Sequence, residues 1–162
     1  MALTFLRNLG IVSSAGISTT KLGAGAVLQA ITATDSTTRN STSTSFVTAS
    51  NTLSVSITPS SASNKIFIIV QSTGFTGGGG QMPIIMTYLD SPSSTSALTY
   101  QVYGRTTGAA EYKSIFTIYR GATNLAGGTT GFVELGANAA NQNFYLQNDS
   151  QIGSITCFEI AG

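Results

Sequence analysis

Residues 82–105 read MPIIMTYLDSPSSTSALTYQVYGR. Residues 83–89 are nearly all apolar, the pattern of a strand buried on both faces. Further on the chain alternates: Leu98, Tyr100 and Val102 point one way, Thr99, Gln101 and Tyr103 the other. Between the two runs lies Asp90-Ser91-Pro92-Ser93-Ser94, which is turn chemistry. An Asp side chain bonds its own backbone two residues on, and Pro presets φ for a turn. Pro92 also has no N–H to give to a ladder. The stretch therefore predicts a hairpin, two strands around one tight corner.

Outward from this hairpin the same grammar repeats. Val27, Gln29 and Ile31 alternate with Leu28 and Ala30, and Leu53, Val55 and Ile57 alternate in turn. Residues 65–71, KIFIIVQ, read as an apolar central strand, and shorter strands fall at 46–47, 115–119, 132–135, 144–146 and 155–160. Residues 35–45 form a polar loop, Thr58-Pro59-Ser60-Ser61 a turn, and 77–80 a run of four glycines. About ten short strands, with turn signals every 8–12 residues or so, are the signature of a sandwich or barrel. The expected fold is all-β, a jelly-roll-like antiparallel β-sandwich of about 8–10 strands, and no exact internal repeat points to a solenoid.

Residues 1–24 differ from the rest and are expected to form an extended N-terminal arm, with the sandwich covering 25–162. The spacing of Leu3, Leu6 and Leu9, with Phe5, predicts one face of a short helix that stops at Gly10, and Ile11 follows. Exposed Leu and Phe at this density are costly in water, so the arm is expected to dock on another copy or another protein. It lacks the basic start of a signal peptide, and Arg7, Asn8 and Gly10 interrupt its apolar run.

Composition narrows the function. Only 8% of the 162 residues are charged and the net charge is +1, against about 25% charged in an ordinary domain. Nothing here suggests a nucleic-acid or membrane partner. Ser and Thr make up over a quarter of the chain, so the surface is polar but uncharged and repels its own copies weakly. The single cysteine, Cys157, allows no intrachain disulfide and reads as a buried, inert thiol.

The catalytic inventory is thin. There is no histidine, which removes the commonest general base, and with one Cys the usual zinc sites are excluded. The four glycines are followed by Gln81-Met82-Pro83, so they make no P-loop. A glycosidase needs a pair of carboxylates. The acids are Asp35, Asp90, Glu111, Glu134, Asp149 and Glu159. Asp35, Asp90 and Asp149 sit beside Ser or Thr in turns, where Asx bonding accounts for them, Glu111 beside Lys113 reads as a solvated charge, and Glu159 as an outward strand position. The chain is therefore expected to be no enzyme and to need no cofactor or metal. Six tyrosines on or near strands offer rings for stacking on sugars, or else core and subunit-interface positions.

Three segments carry a resemblance: LDSPSSTSALTY, SITPSSASNKIFIIV and ITCFEIAG. Together they resemble a domain of phage virion and tail-fibre-like proteins, many of them marine or cyanobacterial, over roughly residues 25–162. One departure affects strand order: the segment like Phe116-Thr117-Ile118-Tyr119-Arg120-Gly121 tends to precede the LDSP segment in that family, and here it follows. The resemblance implies a virion structural protein at the particle surface. Within that class a homotrimeric capsid decoration (cement) protein is expected, because 24 residues leave no room for a fibre shaft. It would bind the major capsid protein through Leu3, Phe5, Leu6, Leu9 and Ile11. The alternative is a tail-fibre tip on a tail or baseplate protein, reading a host glycan with loops that hold Gly77, Gly78, Arg105 and Asn124.

Overall fold

The computed structural model describes residues 22–75, 81–107, 113–125, 131–134, 144–149 and 151–162. The described strands form an antiparallel β-sandwich of two six-stranded sheets. Sheet A is built on β1 (Val27–Asp35), β12 (Gly153–Ile160), β5 (Lys65–Phe75) and β6 (Gln81–Asp90), side by side in that order. Where β12 ends, the short strands β11 (Phe144–Leu146) and β2 (Arg39–Ser41) continue the sheet beside β5. Sheet B centres on β7 (Leu98–Thr106) and β8 (Lys113–Arg120). Strands β3 (Val47–Thr48) and β4 (Ser54–Ile57) flank β7, while β9 (Thr123–Asn124) and β10 (Gly131–Glu134) flank β8. The pairing of the first long strand with the last, and the passages between sheets, give the jelly-roll-like character.

Alternation sets the core. On β7, Tyr100, Val102, Gly104 and Thr106 point inward, and Thr99, Gln101, Tyr103 and Arg105 outward, as the sequence predicts. On β12, Ile155 and Cys157 meet Ile66, Ile68 and Val70 of β5 in the same core. Phe116 of sheet B and Phe144 of sheet A cross edge-to-face, with ring centroids 5.5 Å apart. Gly104 leaves the room for that pair: a Cβ there would lie 3.1 Å from the Phe116 ring and 3.2 Å from Phe144. Gly104→Val is therefore expected to cost about 1–3 kcal/mol by overpacking. Urea unfolding would read this as a lower midpoint, and an unchanged midpoint would show that the aromatic pair yields freely.

Residues 82–105 correct two expectations. The strands β6 and β7 do not pair with each other; β6 lies in sheet A and β7 in sheet B. Residues 91–97 carry the chain across, with Ser93 at φ +50° just after Pro92. The turn chemistry is as read, but it builds an arch between sheets in place of a hairpin. Nor is β6 buried on both faces. Ile84 and Met86 face the core, while Ile85 and Leu89 stand 58% and 51% exposed on the outer face of sheet A. An edge strand of one sheet has only one core to serve.

The polar stretch 35–45 also holds a strand. Leu146, Tyr145 and Phe144 of β11 pair with Arg39, Asn40 and Ser41 of β2. At the start of β1, Gly25 adopts φ +86°, a left-handed conformation open to glycine, in a turn where Ala26 N–H donates to Gly23 O. The arm expected over 1–24 lies outside the described residues except for its last three.

Candidate functional site

Three carboxylates, Asp35, Asp90 and Glu159, are buried, and each has a structural task. Asp90 closes β6 and reaches across to sheet B. Its Oδ2 accepts from the Tyr100 hydroxyl at 2.6 Å, and Arg120 Nη1 donates to both carboxylate oxygens at 2.9 and 2.7 Å. Tyr100 is fully buried, and its pKa is pushed far above the ordinary value, by burial first and then by its bond to Asp90. The Asx-turn reading of Asp90 thus gives way to a cross-sheet latch.

Glu159 was expected to face outward, and it is 1% exposed on the core side of β12. Its Oε1 accepts from Ser60 N–H at 2.6 Å, Ser60 Oγ at 2.8 Å and Asn64 Nδ2 at 2.5 Å. Its Oε2 accepts from Gln29 Nε2 at 2.6 Å. Burial alone would raise its pKa, but these donors outweigh burial and hold the carboxyl below its usual range. One carboxylate so ties the 58–64 turn to β1 and β12.

Asp35 ends β1 in the same manner. It makes the expected Asx bond, accepting from Thr37 N–H at 2.9 Å. It also accepts from Ser50 Oγ at 2.5 Å and from Arg39 Nε at 3.2 Å. Burial again opposes, and the bonds led by Ser50 and Arg39 win, so its pKa lies below the ordinary value. Each oxygen of these three carboxylates accepts at least one hydrogen bond from within the fold, which ties neighbouring segments together. Asp149 is exposed, and Glu111 lies outside the described residues. Among the described residues no group of three His, Cys, Asp or Glu side chains is placed to hold a metal ion. Cys157 is buried, and burial pushes its thiol to about 12.

The outer face of sheet B carries a different feature. Tyr103 and Tyr119, diagonal neighbours on β7 and β8, stack at 4.0 Å between centroids and 23° between planes. Phe46 tilts against Tyr119 at 6.1 Å, and Arg105 lies over Phe46 at 5.2 Å. The run Arg105–Phe46–Tyr119–Tyr103 is a half-buried aromatic ladder, which ties the strands together through ring contacts and a cation–π contact. Asn124 borders it, its Oδ1 accepting from Thr117 Oγ1 at 3.0 Å. Arg105 and Asn124 were expected in contact loops. Both lie on strands, β7 and β9, and the fold brings them to one face. The alternation of β7 already placed Tyr103 outward; Phe46, which packs on Tyr119, comes from just before β3, which no local pattern foretells.

The other candidate residues, Leu3, Phe5, Leu6, Leu9, Ile11, Gly77 and Gly78, lie outside the described residues. The fold is an all-β sandwich, and among the described side chains Lys65 and Asp149 are the exposed charged ones. No family model, curated protein or solved structure matches the chain.

Proposed function

We propose that this chain is a phage virion structural protein, a non-enzymatic homotrimeric decoration module that anchors on the major capsid protein through its N-terminal arm and stabilises the head. The observation that supports it best is where the charge has gone. Of the described acid side chains only Asp149 is exposed; Asp35, Asp90 and Glu159 are spent inside. Arg39 and Arg120 pair with those carboxylates, Arg105 lies against a ring, and Lys65 alone of the described basic side chains is exposed. Such a surface offers copies little to repel one another and suits close-packed placement on a particle. Bridging neighbouring capsid subunits would favour the assembled state by mass action. The resemblance of the three quoted segments to virion and tail-fibre-like proteins supports the same reading.

Immunogold labelling of intact virions with an antibody to residues 25–162 tests it. Label over the head is expected; no label on any particle would overturn the virion role. Deleting residues 1–12 is expected to leave the sandwich folded and to abolish particle attachment. Attachment equal to that of the full chain would remove the arm from the account.

The aromatic ladder favours a second reading, a fibre tip that binds a host glycan. Tyrosine faces with a guanidinium and an amide nearby offer stacking and hydrogen bonding to a sugar ring. Label confined to the tail, together with competable binding of one sugar class on a glycan array, would favour this reading over decoration.

A further inference from the structure

One corner of sheet A gathers oxygens that the fold leaves without donors. Thr38 precedes β2 and Gln147 follows β11, one step beyond the last pair of those strands, Arg39 with Leu146. Both line a cavity of about 260 Å³ together with Tyr145 and Asp149. Thr38 Oγ1 and Gln147 Oε1 are buried atoms with no hydrogen-bond partner among the described residues. Nor, among those residues, does any hydrogen bond or ion pair engage the Asp149 carboxylate. The backbone around these oxygens is held in place. Thr37 N–H and Arg39 Nε, on either side of Thr38, both donate to Asp35, at 2.9 and 3.2 Å. Gln147 N–H donates to Thr73 O at 2.8 Å. Asn148, between Gln147 and Asp149, is fully buried, and its Oδ1 accepts from Ser72 Oγ at 2.8 Å. A Cβ at Gly153 would lie 2.5 Å from that oxygen, so glycine there makes room for the anchor.

We propose that this corner binds a hard divalent cation of the size of Ca²⁺, held by the Asp149 carboxylate, Gln147 Oε1 and Thr38 Oγ1. The donor set carries the choice. All three side chains offer oxygen, the ligand atom of hard cations. Water alone serves the two neutral oxygens, whereas a cation meets them and the Asp149 charge together. Geometry argues for Ca²⁺ over Mg²⁺. Ca²⁺ accepts about six to eight oxygens in flexible arrangements, and Mg²⁺ demands a near-ideal octahedron. The side chains fill some of those places, and a cavity of about 260 Å³ leaves room for waters, at roughly 30 Å³ each, to fill the rest. Affinity rises with the charge of the ligand set, so one carboxylate makes the site weak, in the ~0.1–1 mM range of extracellular Ca²⁺ modules. With one acid and two neutral oxygens it differs from a centre of three acidic, Cys or His ligands. The bound ion ties the segment between β1 and β2 to the segment between β11 and β12, where both short strands end. The site goes beyond the assembly reading and does not depend on head or tail placement.

Terbium luminescence of the full chain tests it. Tb³⁺ is an oxygen-seeking stand-in for Ca²⁺, and in a chain without tryptophan a nearby tyrosine is its sensitiser. Tyr145 lines the cavity. Excitation of tyrosine is expected to give Tb³⁺ emission that Ca²⁺ displaces and that Mg²⁺ at the same concentration displaces less. Ca²⁺ is also expected to raise the urea midpoint, because it binds the folded chain. Asp149→Asn keeps the shape and removes the charge, and is expected to weaken Ca²⁺ binding about tenfold or more. Gln147→Glu adds a second carboxylate to the same cavity and is expected to tighten binding about tenfold. Thr123→Glu, an equal charge on sheet B, is expected to leave it unchanged. Circular dichroism of each variant confirms the fold. Either signal counts in support only when Asp149→Asn diminishes it. Emission and urea midpoint that both ignore Ca²⁺ up to about 10 mM, ten times the weak end of the expected range, overturn the inference. Binding that Asp149→Asn leaves intact, or that Thr123→Glu tightens as much as Gln147→Glu does, also overturns it. Failure here leaves the particle labelling result standing, and failure of the labelling leaves the terbium result standing.

Discussion

Asp90→Ala is expected to cost about 3 kcal/mol, near the lower end for breaking a buried ion pair because Arg120 keeps some access to water. Asp90 belongs to sheet A, and its partners Tyr100 and Arg120 belong to sheet B. Deletion of the carboxylate leaves the Tyr100 hydroxyl in the core with no acceptor from this latch, and a guanidinium without its anion. An orphaned buried hydroxyl alone costs about 1–3 kcal/mol. Tyr100→Phe removes the hydroxyl and spares the ion pair, so it is expected to cost only about 1 kcal/mol. The double variant is expected to cost clearly less than the two losses added, because both remove the same bond. Urea unfolding measures all three. A loss below about 0.5 kcal/mol for Asp90→Ala, the scale of an ordinary surface change, would refute the latch.

This latch also marks where sequence reading succeeds and where it stops. Alternation placed Tyr100 inward and Tyr103 outward on β7, because a period of two is a property of the strand itself. The pattern of β6 was harder to read. Seven nearly continuous apolar residues look the same in a strand covered on both faces and in an edge strand with one face on the core and the other exposed. Ile85 and Leu89 were therefore read as core when they stand on the outer face of sheet A. The Asp-Ser-Pro corner specifies a change of direction, and whether the chain returns to the same sheet or crosses to the other depends on contacts far away in sequence. Glu159 is the clearest case. Its four donors come from Gln29, Ser60 and Asn64, roughly a hundred residues away, and nothing beside it in the chain announces them. The strands β2 and β9 escaped notice because their residues are polar and they are fixed by backbone pairing to β11 and β8.

Acid is expected to unfold this protein through its latches. Asp35 and Glu159 have folded pKa values below the ordinary ones, set by donors that overcome burial. A carboxylate of this kind stabilises the fold fully above its unfolded pKa, near 3.9 for Asp and 4.3 for Glu. As pH falls below those values the unfolded chain takes up protons first. Stability then declines until the folded carboxylates protonate as well, with a slope of up to about 1.4 kcal/mol per pH unit for each proton. The chain has no histidine, so no side chain of ordinary pKa titrates between about pH 5 and 8. The expected profile is flat from neutral pH to about 5 and falls steeply beneath it. Glu159→Gln isolates one latch. The amide nitrogen would turn a donor toward donors on Ser60 and Asn64 or on Gln29, and the charge would be gone. A loss of about 2 kcal/mol at pH 7 is expected, from hydrogen bonds to a charged group. That deficit should shrink as pH drops below the unfolded Glu pKa, near 4.3, because the unfolded native-sequence chain then gains a proton that the folded Glu159 carboxylate does not. Urea midpoints of both proteins from pH 7 to pH 3 decide the point. A deficit that stays constant across that range would mean that Glu159 supports the fold by shape alone, and its charge would have no part in closing the sandwich.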